Sequence, residues 1–307
     1  MTDVALEMQV IAEGLQFPEG PIAMADGSVL VVEIKRGTLT RVGADGVATV
    51  IAELGGGPNG AALGPDGAVY VCNNGGFTWH EIAGALIPDG TPDDYAGGSI
   101  QRVDLTTGAV STLYAACDGR PLRGPNDLVF DGHGGFWFTD HGKADAERSD
   151  HGAIFHARAD GSKITRVLDR LHGPNGIGLS PDGGTLYWAE TPTSRLWSRR
   201  VVGPGELAPS VNPLAPGELV HAMPDYRLFD SLKVEADGRV CVGTLVQGGI
   251  TIAGGGSDFE FVTFPEVAIT NLAFGGADLR DVWATASSSG RLYKLRWPRA
   301  GLRLAHQ

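Results

Sequence analysis

The sequence predicts an all-β fold: a six-bladed β-propeller, with four-stranded antiparallel blades around a central channel, as one domain over residues 1–307. Three observations predict it. One phrase recurs six times along the chain, each copy sets a D-G-type turn between two apolar runs, and helical periodicity is absent. Only ADAERSD, at 144–150, has the composition for a helical turn or two.

The copies are FPEGPIAMADGSVLVVE from Phe17, GPNGAALGPDGAVYVCN from Gly57 and GPNDLVFDGHGGFWFTD from Gly124, then GPNGIGLSPDGGTLYWAE from Gly173, LFDSLKVEADGRVCVGT from Leu228 and AITNLAFGGADLRDVWAT from Ala268. Each begins with a polar or Gly-rich lead-in and a short apolar strand. The D-G pair supplies the positive φ of a tight hairpin. The Val, Tyr, Trp and Phe that follow are strong β formers. Third strands come next, as GTLTRV, GSIQRVDL, GAIFHARA, SRLWSRRV and GRLYKLRW, and fourth strands as VATVIAE and AVSTLYAA. Four strands repeated six times, at a spacing of roughly forty to seventy residues, mark a propeller. Two separate all-β domains are the alternative, but the phrase recurs through the chain without a linker.

Composition narrows the function classes. With 42% hydrophobic and 20% charged residues the chain can bury a large core. Its 46 Gly and 18 Pro, lacking a G-X-Y period, signify turns. A net charge of −12 argues against nucleic acid and anionic membrane as partners, both of which need clustered Lys and Arg. MTDVALEMQVIAEGLQFPEG has no apolar core of a secretory signal, and no apolar run reaches membrane-spanning length. Cys72, Cys117 and Cys241 are odd in number and far apart, so they read as reduced, buried thiols of a cytoplasmic protein. The number of subunits is left open.

In a propeller the innermost strands line the channel, so one fixed repeat position forms a ring around the axis. That position holds Glu19, Asn59, Asn126, Asn175, Asp230 and Thr270. Asn and Asp also open strands by bonding nearby backbone, which accounts for any one of them. It does not account for Glu19, nor for two carboxylates facing one narrow channel, which repel unless a cation lies between them. Oxygen ligands without His or Cys suit Ca²⁺, Mg²⁺ or Mn²⁺ better than a structural zinc site.

These motifs resemble the SMP-30/gluconolactonase/luciferin-regenerating enzyme family over nearly the whole chain. The resemblance rests on F-P-E-G-P from Phe17, G-P-N-D with F-T-D from Gly124 to Asp140, G-P-N-G-I-G-L-S-P-D from Gly173, A-E-T-P-T-S-R-L-W from Ala189 and T-N-L-A-F-G-G from Thr270. It implies one divalent cation in the channel, Ca²⁺ first, with Zn²⁺, Mn²⁺ or Mg²⁺ as alternatives. It implies Glu19, Asn175 and Asp230 as ligands, Asn126 as a substrate contact or further ligand, and hydrolysis of sugar-acid lactones. Two departures fall where substrate would be recognised. Many bacterial members read R-P-N-D, where this chain has Gly124 with Arg123 one residue displaced. HGKADAERSDHG also replaces a Pro-rich loop after F-T-D.

Lactone hydrolysis needs a polarised carbonyl, an activated water and help for the leaving alkoxide. Asp230 is the expected general base as well as a ligand, with the alternative that it only holds the metal. Asp127 orients a ligand or closes a turn. Asn59 and Thr270 contact water or substrate; Arg123 and His141 are candidate substrate contacts, His141 also a candidate acid. Two long insertions, residues 75–98 with Trp79, His80 and Tyr95 and residues 201–227 with His221 and Met223, read as unstructured lids or recognition loops. The glycine run 254–256 reads as a turn, since no helix follows to make an anion site. No G-x-S-x-G is present to support a serine triad. A small-molecule lactone is the expected partner. The alternatives are a non-enzymatic metal-binding scaffold and a hydrolase of another ester, such as an organophosphate.

Overall fold

The structure is a computed structural model that describes residues 2–254 and 258–307; part of the glycine run at 254–256 therefore lies outside the described residues. Six antiparallel sheets stand around one axis as the blades of a propeller. From the axis outward, blade one is Pro18–Ala23, Val29–Glu33, Thr38–Val42 and Ala48–Glu53. Blade two is Pro58–Leu63, Val69–Asn73, Ser99–Val103 and Val110–Tyr114. Blade three is Pro125–Phe130, Gly135–Asp140, Gly152–Arg158 and Ile164–Leu171. Blade four is Pro174–Leu179, Thr185–Glu190, Arg195–Gly203 and Glu218–Ala222.

The last two blades borrow strands from the start of the chain. Blade five, Leu228–Val234, Val240–Leu245, Gly249–Ala253 and Phe259–Thr263, adds Thr2–Asp3 in parallel at its outer edge. Blade six, Asn271–Gly275, Asp281–Ala286 and Arg291–Arg296, takes Met8–Ala12 as its fourth strand. Residues from opposite ends of the sequence thus close the ring. The pairing also covers an edge that would otherwise be exposed.

Adjacent blades are joined by apolar clusters, one at each of the six junctions. The largest lies between blades two and three, where Phe138 stacks on Phe155 at 5.0 Å and Tyr70 meets Phe130 edge-on at 5.2 Å. Trp137, Ile177 and Trp188 fill the next junction. The thiols of Cys72, Cys117 and Cys241 are free and buried.

Three local expectations are corrected. ADAERSD is not helical: Asp145 N donates to Arg148 O and Ala144 bridges Ser149, because Asp145 caps the turn through the Glu147 and Arg148 amides. The insertion at 75–98 is not irregular throughout. Thr78–Ile82 pairs with Ala85–Asp89 around a two-residue turn in which Ala83 and Gly84 both have positive φ. The insertion at 201–227 supplies the fourth strand of blade four.

Phe138 is fully buried in the largest junction. Phe138→Ala should cost about 3–5 kcal/mol of stability, read from urea unfolding followed by tryptophan fluorescence. A loss below about 1 kcal/mol would mean that this junction does not hold blades two and three together.

Candidate functional site

The innermost strands carry the site because five of them contain a β-bulge at the same place. Register shifts fall between Glu19 and Ile22, Pro58 and Ala61, Pro125 and Leu128, Pro174 and Ile177, and Phe229 and Leu232. A bulge sets two residues against one and re-aims side chains. Consecutive residues therefore reach the axis: Asn126 with Asp127, and Asp230 with Ser231. The glycine after the ring residue has a related cause. A side chain at Gly60 would run into the backbone of Asn126 and Asp127, and one at Gly176 into that of Ser231 and Leu232. Neighbouring inner strands touch there, which explains P-N-G.

The lead-ins of blades one to four are each fastened by the residue that ends the second strand of its own blade. Asp140, the Asp of F-T-D, accepts from the amides of Arg123 at 2.8 Å, Gly124 at 2.7 Å and Gly142 at 3.0 Å. Glu33 accepts from Gln16 N at 2.7 Å, Asn73 from Gly57 N at 2.9 Å and Glu190 from His172 N at 3.1 Å. These acidic and amide residues are structural clamps, and they fix where the following ring residue points.

The structure brings Glu19, Asn175, Asp230 and Thr270 into one network. Glu19 Oε2 accepts from Gly20 N and from Asn271 Nδ2, both at 2.8 Å, and Thr270 also bonds the carboxyl. Asn175 Nδ2 donates to Thr191 Oγ1 at 3.1 Å, its Oδ1 accepts from Ser231 Oγ at 3.4 Å, and the side chain bonds Asp230. Thr270 Oγ1 shares hydrogen bonds with Thr285 at 2.9 Å and Ser287 at 2.5 Å. Asn126 and Asn59 are buried in the same ring.

Among the described residues, one acceptor in this ring, Asn126 Oδ1, has no hydrogen-bond partner, while Asp127 Oδ2 has only an ion pair, with Lys233 Nζ at 3.5 Å. Burial, opposed by the bonds from Thr270 and Asn271, raises the Glu19 carboxyl to about 7. Burial followed by the Glu19 charge pushes Asp230 well above the usual carboxylate range, and burial also raises Asp127. An orphaned amide oxygen beside mutually repelling carboxylates is the donor set of a hard cation. Among the described residues no three His, Cys, Asp or Glu side chains group as metal ligands, so such an ion would need the amide oxygens as well.

The remaining candidates sit on the rim. Arg123 is half exposed; its Nε pairs with Asp150 Oδ2 at 2.9 Å and its guanidinium lies 5.5 Å from the Tyr95 ring. His141 lies against Gly173, and burial with nearby Lys143 lowers its pKa to about 4. His80 pairs with Asp89 within the hairpin. His221 packs on Phe259 at 5.0 Å, so it belongs to the packing of blades four and five. Trp79 packs on Phe17 at 5.0 Å, and Leu86 N donates to Ser288 O at 2.8 Å. The hairpin that leaves blade two therefore crosses blade one and touches blade six, over one side of the mouth.

Lys143, Lys233, Asn271 and Ser231 carry parts of this arrangement that the sequence reading did not single out. Lys143 is buried between Phe77, at 4.3 Å, and Tyr95, at 5.2 Å, and its Nζ donates to Gly76 O at 2.5 Å. Burial lowers its pKa to about 8. It ties the loop after F-T-D to the hairpin insertion. The available signal was position: Asn271 and Ser231 each directly follow a ring residue, as Asp127 does.

His141 gives a pH prediction. A base held at about 4 when folded, against 6.5 when free, leaves stability intact above pH 6.5 and withdraws it as pH falls toward 4. The imidazole resonances of His141 should titrate near pH 4 by NMR. A midpoint between 6 and 7 would mean that the ring is solvated and free to protonate.

The sequence matches the SMP-30/Gluconolactonase/LRE-like region over residues 17–288. It is 27% identical over 206 residues to a gluconolactonase of Zymomonas mobilis, covering 60% of this chain and 52% of that protein. It is 28% identical over 197 residues to the diisopropyl-fluorophosphatase of Loligo vulgaris, covering 60% of each. In both cases the alignment spans less than two thirds of the relative's length. Among solved structures, a calcium-binding protein, regucalcin, from Agrobacterium tumefaciens superposes with a TM-score of 0.71 at 17% identity, covering 99% of this chain and 100% of that one. At that identity the likeness is one of fold.

Proposed function

This chain belongs to the SMP-30/gluconolactonase/LRE-like family, and we propose that it is a divalent-metal-dependent lactonase that opens a sugar-acid lactone or a similar small lactone. The observation that carries the reading is the buried ring itself. It sets Glu19, Asn175 and Asp230 together and leaves Asn126 Oδ1 without a partner. A scaffold has no need of buried carboxylates whose mutual repulsion opposes folding.

Glu19, Asn175 and Asp230 would hold the ion, with Asn126 Oδ1 as a further ligand or a substrate contact. Ca²⁺ is the first candidate, in keeping with the all-oxygen donor set. When bound, such an ion supplies Lewis acidity toward an ester carbonyl. Asp230, ionised when it ligates such an ion, would take the proton of the attacking water. The same proton then passes to the leaving alkoxide oxygen, and the ring opens to a hydroxy acid. His141, neutral at pH 7, and the Asn126 amide orient substrate hydroxyls at the mouth. Arg123, engaged with Asp150 and Tyr95, acts from the rim. The Loligo vulgaris relative, a diisopropyl-fluorophosphatase, favours a second reading, hydrolysis of an organophosphate in the same ring.

Proton release from a panel of aldonolactones, simple lactones and a fluorophosphate tests both readings. It would be run with Ca²⁺, Mn²⁺, Zn²⁺ or chelator. Hydrolysis of an aldonolactone should require metal and fall by at least about 10²-fold in Asp230→Asn, which removes a ligand as well as the base. Metal-dependent turnover of the fluorophosphate alone would favour the second reading, and no turnover above the spontaneous rate would remove both.

A further inference from the structure

Beneath the ring the chain carries a cation of its own. Lys233 Nζ donates to Leu232 O at 3.0 Å and to Asn271 Oδ1 at 3.2 Å, and stands 3.5 Å from Asp127 Oδ2. Its side chain is only 14% exposed, on the side of an apolar recess at the far end of the channel. That recess is lined by Ile22, Ala61, Leu128 and Phe274 and roofed by Leu302 and Leu304 of the C-terminal tail. An ammonium has three protons, and three oxygens already surround this one. Two of them accept hydrogen bonds and the third is a carboxylate oxygen in ion-pair contact, so the ammonium faces the ring above it.

The contacts show how. Asn271 is fixed in one orientation: its Oδ1 accepts from Lys233 and from Leu272 N at 2.8 Å, which turns Nδ2 toward Glu19 Oε2, also at 2.8 Å. Asp127, one residue after Asn126, takes the other side of the ammonium. With Glu19, Asp127 and Asp230 ionised, three carboxylates face one ammonium, which leaves two negative charges for one divalent ion to match.

We propose that Lys233 is a built-in counter-ion of the ring and a positioning residue for Glu19, acting through Asn271, so that the site is preformed before a divalent ion binds. The proposal rests on the reading of the ring as a metal site. A lysine that merely filled space would stabilise the protein equally with and without metal. A counter-ion matters most when the metal is absent, because Asp127, the carboxylate the ammonium touches, then has only Lys233 to offset it.

Thermal unfolding of chelator-stripped and Ca²⁺-saturated protein separates the two roles. Wild type, K233M and the double variant K233M/D127N would be compared. The loss of melting temperature in K233M relative to wild type should fall mostly in the stripped state, so that its gain from Ca²⁺ exceeds the wild-type gain by several degrees. The double variant, which removes one charge of each sign, should return that gain toward wild type. Equal losses with and without Ca²⁺ would overturn the proposal while leaving the metal site standing. Where stripped K233M does not fold, the double variant decides: folding with a wild-type gain supports the counter-ion, and failure to fold overturns it. No gain in wild type with Ca²⁺, Mn²⁺ or Zn²⁺ would overturn the metal reading and the proposal together.

Discussion

Glu19, Asp127 and Asp230 are held close together at the axis of a propeller, away from bulk water. Like charges so placed raise one another's proton affinity and oppose the packing of the inner strands, so something positive has to face them. Lys233 answers part of that demand from below. Asn126 Oδ1, which has no partner among the described residues, marks where the remainder would be met. Much of the local structure is arranged to hold these groups in place.

The holding devices repeat around the ring because the blades repeat. A bulge in five of the six inner strands brings two consecutive side chains to the axis. Close contact between inner strands demands glycine at 60 and 176. Glu33, Asn73, Asp140 and Glu190 clamp the lead-ins of blades one to four through backbone amides. Variation sits above this frame. The hairpin from blade two, the Lys143 contacts with Phe77 and Tyr95, and the Arg123–Asp150 pair all lie at the mouth, where substrate choice would be made.

The propeller was legible because its signal is redundant. Six copies of one phrase fix blade number, strand order and the ring position, and an error in any one copy is corrected by the others. What lacked a repeat was not legible. MQVIA, the fourth strand of blade six, pairs with residues almost a chain length away and carries no phrase to announce it. The hairpin at 78–89 has an Ala-Gly turn rather than the D-G that marks five of the six inner hairpins. Reading one residue per blade also missed Asn271 and Ser231, since only the three-dimensional arrangement shows that the next residue reaches the axis too. Lys233 was hidden for the same reason: three positions past Asp230, in an alternating strand, it reads as a solvated charge.

Titration calorimetry of a divalent ion into chelator-stripped protein tests the central claim most directly, with Ca²⁺, Mn²⁺ and Zn²⁺ each taken in turn against wild type and Asp230→Asn. The account predicts one bound ion per chain in wild type and loss of that binding in the variant, with its circular dichroism unchanged. Binding that survives unaltered in Asp230→Asn, or no binding of any of the three ions to wild type, would contradict it.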